Sequence, residues 1–482
     1  MPNRRVLDRI PVATLAEHAA SGGLSALETA RATDPAVVID IIRDAGLRGR
    51  GGAGFPTGVK WRTVADNSVS SPIAPTVVVN AAEGEPGTFG DRAILRANPY
   101  RVLEGALIAA HAVGARSIVV TTKERFVEET TRLRDARDEL RGSGALAGVD
   151  IEIVTGPAHY LLGEETALLE VTSGRPPFPR IAPPYRHGAT EVVDEGAGQS
   201  GAGRVHLAGP EGGDAPPTLV NNVETLAHVP GIVQNGDRWF RMLGTDESPG
   251  TSVFTVSGDT ERSGVGEFPL GTPVRDIITE LGGDVIEGEI AFVLSGIANG
   301  VLTADELDTP TTYEAMGDRG SGLGTGGFLV FSTATDPIAV AHGVSRFLAI
   351  ESCGQCTPCK QDGLDVADML DKVRKGTASS TEVDAIRPVL ARVPEGARCD
   401  LARQHERVVA SILDRCAYQS LEQATDAISS EPVLIAPITG FDDEGRAEID
   451  TEHRTKQPDW THADHWNGQS PADRYDVAVS IS

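Results

Sequence analysis

The segment Glu351-Ser-Cys-Gly-Gln-Cys-Thr-Pro-Cys-Lys360 constrains this chain more than any other. Cys353, Cys356 and Cys359 are each separated by two residues, and Cys399 follows far downstream. Closely spaced thiolates can wrap three corners of a cubane while a distant fourth closes it. Zinc is the main rival for four cysteines, but structural zinc sites usually pair them in two knuckles. Three ligands in one turn-rich run, with Pro358 before the last, fit a [4Fe-4S] cluster better. The bland alternative is a chance run of small buried cysteines. With five cysteines in 482 residues, four in this pattern argue against chance. The fifth, Cys416, lies on a helical pattern and reads as a buried small hydrophobe. An odd number of cysteines, clustered as ligands, points to a reducing, cytoplasmic compartment.

A chain of this length exceeds one ordinary core, so several domains are expected. Its 40% hydrophobic and 23% charged residues are those of a globular protein. A net charge of −26 opposes nucleic-acid binding, which needs a basic footprint. It also means that an anionic cofactor must be held by backbone amides and local cations. Met1 to Gly23 carries Arg4 and Arg5 without an apolar stretch behind them and does not read as a secretory signal. No run of about twenty apolar residues is present to span a membrane.

Residues 35 to 45 place Val37, Val38, Ile41, Ile42 and Ala45 on one helical face, and Gly46 ends the helix. The loop Gly49-Arg50-Gly51-Gly52-Ala53-Gly54-Phe55 comes next. Its glycines formally match a dinucleotide fingerprint, but that motif needs a strand before it, and here a helix precedes it. What remains is a backbone able to approach a phosphate or a flat ring, with Arg50 and Lys60 offering charge at either end. Phe55 and Trp61 beside it need burial or a stacking partner, which argues against a merely mobile loop. Thr76 to Asn80 reads as a buried parallel strand, with Ala81-Ala82-Glu83-Gly84-Glu85-Pro86-Gly87 at the end where α/β sheets bind ligands. Those carboxylates and glycines are also compatible with a solvated turn.

Helices over 101–113 and 126–140 alternate with strands over 117–123 and 151–154, which implies a doubly wound α/β domain. Tyr160 to Leu169 opens another helix, whose acidic first turn suits its dipole. Residues 173–217 are Pro- and Gly-rich and long for a loop, so they are functional or draped over a partner. Asn221 and Asn222 either cap the helix they enter or hydrogen-bond a ligand. Strands over 251–257, 266–270 and 291–295, with a helix over 273–281, predict a small α+β domain. Gly317 to Gly327 reads as a connector. Residues 336–428 are almost wholly helical and enclose the cysteine run. The tail from 431 to 482, with Trp460, Trp466, His453, His462 and His465, reads as solvated and acidic.

Five stretches in this order resemble the flavoprotein subunit of NADH:quinone oxidoreductase (respiratory complex I) and the diaphorase subunits of NAD-linked hydrogenases and formate dehydrogenases. They are Arg48 to Trp61, Asn80 to Arg92, Tyr160 to Leu168, Thr218 to Leu226 and Glu351 to Lys360. The resemblance spans roughly residues 35–415. It implies a Rossmann-like domain binding FMN and NADH over 35–249, after an extension over 1–34. A ubiquitin-like (SLBB) domain over 250–330, a four-helix bundle holding the cluster over 331–430 and an acidic tail over 431–482 would come after it.

By the same resemblance, Gly49, Arg50, Gly51, Gly52, Ala53, Gly54 and Phe55, with Lys60, cradle FMN. Asn80 and Glu83 lie beside it, and Tyr160, Gly163, Glu164 and Glu165 flank flavin and nicotinamide. Asn221, Asn222 and Thr225 hold the far side of FMN, and Glu85 and Phe55 touch the nicotinamide nucleotide. Cys353, Cys356, Cys359 and Cys399 ligate the cluster. No side chain need act as a nucleophile.

The chain departs from the family at Ala82, where an aspartate is usual. It also departs at Thr63, where an aromatic stacks on adenine, and at Ala182 and Tyr185 in place of lysine and phenylalanine. Two functions are therefore weighed: an NADH dehydrogenase subunit, and an electron conduit that has lost its NADH pocket. A scaffold with a structural cluster and no flavin is a third, opposed by the intact glycine loop. With no second cysteine set in the chain, the resemblance implies a thioredoxin-like [2Fe-2S] partner, further redox subunits and a site peripheral to a membrane complex.

Overall fold

The computed structural model describes residues 4–180, 216–417 and 430–458. Ala182, Tyr185, Trp460, His462, His465 and Trp466 lie outside them. Helices α1 (Leu15–Ala20) and α2 (Ser25–Arg31) open the chain. They are packed on the first large core, because His18 meets buried Glu104 at 3.0 Å and Leu27 enters that core.

Helix α3 (Pro35–Ala45) starts on Asp34, whose side chain accepts from the Ala36 amide, and stops at Gly46 with φ +72°. Its buried residues are Val38, Ile39, Ile42 and Ala45, whereas Val37 is exposed. The expected face is thus rotated. Val37/Ile41 and Val38/Ile42 share one helical period, and sequence alone does not choose between them. Helix α4 (Thr57–Val69) leaves the glycine loop.

Strand β1 (Thr76–Ala81) is followed by α5 (Gly90–Ala97), α6 (Pro99–Val113), β2 (Ser117–Lys123), α7 (Val127–Gly142), β3 (Asp150–Gly156), α8 (Glu165–Thr172), β4 (Thr218–Asn222), α9 (Val223–Asn235) and α10 (Asp237–Arg241). The four strands form a parallel sheet in the order β3-β2-β1-β4. Val77 and Val79 of β1 enter the large core shared with α6 and α9, while Val78 faces a second core with Leu168 and Leu169 of α8. This alternation covers both faces with helices, as a doubly wound sheet requires. The chain runs outward from β1 to β3 and returns on the far side of β1 as β4. The order reverses between β1 and β4, which is where such sheets open a ligand crevice at their carboxyl ends. Strand β4 was not expected, because five residues running straight into an Asn-capped helix carry little periodicity.

A second unit contains β5 (Thr251–Gly258), β6 (Gly264–Pro269), α11 (Val274–Gly282), β7 (Ile290–Ser295), β8 (Leu302–Thr303), α12 (Tyr313–Asp318) and β9 (Gly327–Ser332). Its sheet order is β6-β5-β9-β7-β8. The glycine-rich approach hid β9, which lies centrally, parallel to β5 and antiparallel to β7. Helix α11 packs Val274, Ile277 and Ile278 against Phe254, Phe328 and Val330.

Helices α13 (Pro337–Glu351), α14 (Gly363–Arg374), α15 (Ser380–Arg392) and α16 (Leu401–Arg415) share one core, with the cysteine run between α13 and α14. Cys416 ends α16 and is half-buried. The expectation of a solvated tail is corrected up to residue 458. Strands β10 (Ile438–Phe441) and β11 (Ala447–Ile449) form a hairpin, and His453 and Lys456 beyond it are buried. Apolar and polar anchors both hold this segment: Ile435 and Ile438 are buried, Arg92 donates to the Ile438 carbonyl and Arg125 pairs with Asp450, and the short apolar run over 433–438 is its local signal in the sequence. No helix among the described residues is long and apolar enough to cross a membrane.

Candidate functional site

A cleft of about 570 Å³ opens at the carboxyl ends of β1 and β4, within the range of a cofactor site. The glycine loop forms one wall. Gly52 and Gly54 have φ of +110° and +62°, and a Cβ on Gly54 would meet the Tyr313 ring at 2.4 Å. Only glycine fits there. Gly49, Arg50, Gly51, Gly52, Ala53, Gly54 and Phe55 all line the cleft, as do Lys60, Asn80, Glu83, Glu85, Tyr160, Gly163, Glu164, Glu165, Asn221, Asn222 and Thr225. Residues from separate stretches of the chain thus converge on one space.

The expected roles of several side chains change. Arg50 offers no charge to the cleft: its guanidinium is buried and donates to the carbonyls of Thr251 and Arg48 and to the Tyr313 hydroxyl. Its backbone amide donates to Thr225 Oγ1 at 2.8 Å, which fixes the loop. Lys60 does face the cleft, between Glu165 Oε1 and the Val220 carbonyl. Glu83 turns back to Arg92, with Nε to Oε2 at 2.9 Å. Glu85 turns to the second unit, where it accepts from the Ile297 amide at 2.9 Å and from the Thr325 hydroxyl. Burial raises its pKa.

Glu164 and Asn222 are both N-caps. Glu164 accepts from the Thr166 and Ala167 amides, and Asn222 from those of Glu224 and Thr225. Asn222 Nδ2 also donates to Asp91 Oδ2 at 2.7 Å. Asn80 Nδ2 donates to the Gly163 carbonyl at 2.9 Å, bridging β1 to the turn before α8. Phe55 is half exposed at the rim. Thr63 bonds back to Val59 within α4, and Ala82 is buried against Leu162 and Leu168.

Sequence reading missed Asp91 and Glu224, and also Asn299, Thr325, Gln404 and Arg407, which reach the cleft from the later units. No motif joins those four to the glycine loop, so proximity in the fold was the only available signal. Asp91 is pushed well up by burial and by the nearby charges of Glu83 and Glu224. Burial raises Glu224 to about 7 against the pull of Arg50.

Beside the cleft, Cys353, Cys356, Cys359 and Cys399 line a second pocket with Leu161 and Leu401. Both leucines line the large cleft as well, so one layer of side chains separates the two sites. All four cysteines are free thiols. Four thiols around one pocket are the donor set that a [4Fe-4S] cubane takes. Burial raises the pKa of Cys353 and Cys399 and takes Cys359 to about 11, so ionisation of these thiols is coupled to metal binding.

Residues 42–231 match the family model of the Nuo51 FMN-binding domain, and residues 339–422 that of the NADH-ubiquinone oxidoreductase-F iron-sulfur binding region. The chain is 35% identical over 385 residues to the F subunit of NADH-quinone oxidoreductase from Mycobacterium tuberculosis (strain ATCC 25618 / H37Rv), covering 78% of this chain and 82% of that one. With the F subunit of the Aquifex aeolicus (strain VF5) enzyme it shares 34% over 413 residues, covering 84% and 90%. With the NADP-reducing hydrogenase subunit HndC of Solidesulfovibrio fructosivorans it shares 32% over 433 residues, covering 88% and 83%. The crystal structure of an NAD+-reducing [NiFe]-hydrogenase in the H2-reduced state superposes with a TM-score of 0.73 at 33% identity, over 88% of this chain and 67% of that chain. The chain belongs to the family of NADH-quinone oxidoreductase F subunits, with its FMN-binding domain and iron-sulfur binding region.

Proposed function

We propose that this chain is the electron-input subunit of a multisubunit oxidoreductase, taking electrons from NADH and passing them singly to a partner. The observation that carries this reading is the pair of leucines, Leu161 and Leu401, shared by the cleft and the four-thiol pocket. FMN, when bound, accepts two electrons together and releases them one at a time, and a [4Fe-4S] cluster carries one.

The chain's own residues supply binding and orientation. The amides of Gly49 to Gly54 and the ammonium of Lys60 would hold the phosphate end of FMN. Asn80, Glu83, Gly163, Glu164, Asn221, Asn222 and Thr225 would set the ring's position, each already fixed by a cap, strand end or hydrogen bond. Tyr160 would close the side facing the cluster. Phe55, Glu85 and Glu165 would meet the nicotinamide nucleotide at the open rim. Cys353, Cys356, Cys359 and Cys399 would hold the cluster.

The five-stranded mixed sheet with α11 supports a ubiquitin-like SLBB domain over 250–330. The four helices sharing one core support a bundle over 331–430. The chain's five cysteines leave no second set for a [2Fe-2S] centre, which supports a thioredoxin-like partner carrying one. The reading places the subunit in the cytoplasm, peripheral to a membrane complex. Reduction of ferricyanide by NADH with the reconstituted chain tests it. No reduction by a chain loaded with FMN and iron would overturn it.

A further inference from the structure

Residues 430–458 lie beyond the matched family regions, which end at residue 422, yet they touch both sides of the redox site. At one end, Arg92 of the α/β unit donates to the Ile438 carbonyl, and Phe89 meets the Phe441 ring edge-on at 5.1 Å. Arg125, after β2, holds Asp450 and Glu452. At the other end, Arg346 of α13 donates to the carbonyls of His453 at 2.7 Å, Arg454 at 3.1 Å and Lys456 at 3.2 Å. Lys456 and His453 then converge on Glu351, with Lys456 Nζ in direct contact and His453 Nε2 at 3.3 Å from Oε1. All three side chains are buried.

Glu351 is the last residue of α13, just before the cysteine run, and its Oε2 accepts from the Tyr160 amide at 2.8 Å. Tyr160 and Leu161 form the turn that walls the cleft from the thiol pocket. A buried carboxylate without a cation would be costly, and of the cations around Glu351, Lys456 of the C-terminal segment makes the direct contact while buried Lys123 and Lys360 lie nearby.

We propose that residues 430–458 are a strap that fixes the Tyr160–Leu161 wall between flavin and cluster through Glu351, with Lys456 and His453 as its positioning residues. The strap ties the α/β unit to the helical unit and so sets how the two sites face each other.

The test uses the full-length holoprotein with Lys456→Met, Lys456→Arg and Arg346→Ala. Amide hydrogen exchange at residues 159–164 reads the wall directly. In Lys456→Met it is expected to quicken by at least about tenfold. Flavin-to-cluster transfer should slow by at least about threefold. Lys456→Arg should restore both. Arg346→Ala loosens the strap without stranding a buried charge and should move the same readouts in the same direction.

Unchanged exchange at 159–164 in Lys456→Met, with only the melting temperature lowered, overturns the proposal. If Lys456→Met does not fold, unchanged readouts in Arg346→Ala overturn it, as does joint loss of fold in both variants, which would make the segment purely structural. The transfer readout rests on the flavin and cluster reading, but the exchange readout does not. A wild-type protein that lacks FMN or iron therefore sinks that reading while leaving the strap testable.

Discussion

Trp61 Nε1 donates to Asn221 Oδ1 at 2.8 Å with its ring fully buried. One contact between residues distant in sequence thus fastens the helix leaving the glycine loop to the end of β4, and sets two walls of the cleft together. Trp61→Phe keeps most of the apolar ring but leaves Asn221 Oδ1 without its donor. Thermal denaturation should show a loss of about 1–3 kcal/mol. FMN content per purified chain should fall with it. A variant as stable and as yellow as the wild type would show that the bond positions nothing.

Cys399→Ser should strip most of the iron and labile sulfide while FMN remains bound, because the glycine loop and the ends of β1 and β4 that form most of the cleft lie in other stretches. Cys416→Ser should leave iron, sulfide and FMN unchanged, since Cys416 ends α16 outside the four-thiol pocket. Iron and sulfide assays with flavin absorbance separate the two outcomes.

Glu224 titrates at about 7 in the folded chain against an ordinary value of 4.5, first because it is buried. A raised acid contributes stability below its unfolded value and loses it as pH rises through the folded one. The Glu224→Gln variant keeps an acceptor for Ser252 and the Val253 amide. It should therefore gain on the wild type between about pH 4.5 and 7.5, by at most about 3 kcal/mol. His228, driven to about 3 by burial, acts in the opposite sense as pH falls below 6.5, so the variant must be compared with the wild type at each pH. Denaturant unfolding across this range reads the difference, and parallel profiles would refute the assignment.

Phe55 is half exposed at the rim, where its free face is available to a nicotinamide nucleotide. Phe55→Ala should raise the KM for NADH by up to about tenfold with a smaller change in kcat, as expected when an aromatic contact contributes binding equally in ground and transition states. A fall in kcat at constant KM would place Phe55 in the chemistry instead.

Much of this site was readable in the chain itself. The cysteine spacing, the glycine loop entered from a helix, and the strands Thr76–Ala81 and Ser117–Lys123 carried local signals strong enough to survive folding. Other features depended on distant partners. Arg50 looked like a cation for the cleft, but the Thr251 carbonyl and Tyr313 hydroxyl, both far along the chain, draw it away. Strand β4 needs β1 beside it to be a strand, and β9 needs β5 and β7. In the C-terminal strap the short run 433–438 is apolar and partly buried, but the ion pairs and backbone carbonyls that hold the rest leave no pattern in a single sequence.

The central claim is that electrons enter at the flavin cleft and leave through the four-thiol pocket. Anaerobic titration of the FMN- and iron-loaded chain with NADH tests it most directly. The flavin band near roughly 450 nm should bleach, and a paramagnetic signal from a reduced [4Fe-4S] centre should appear in the same titration. A flavin that stays oxidised with excess NADH while dithionite still reduces the cluster would contradict it.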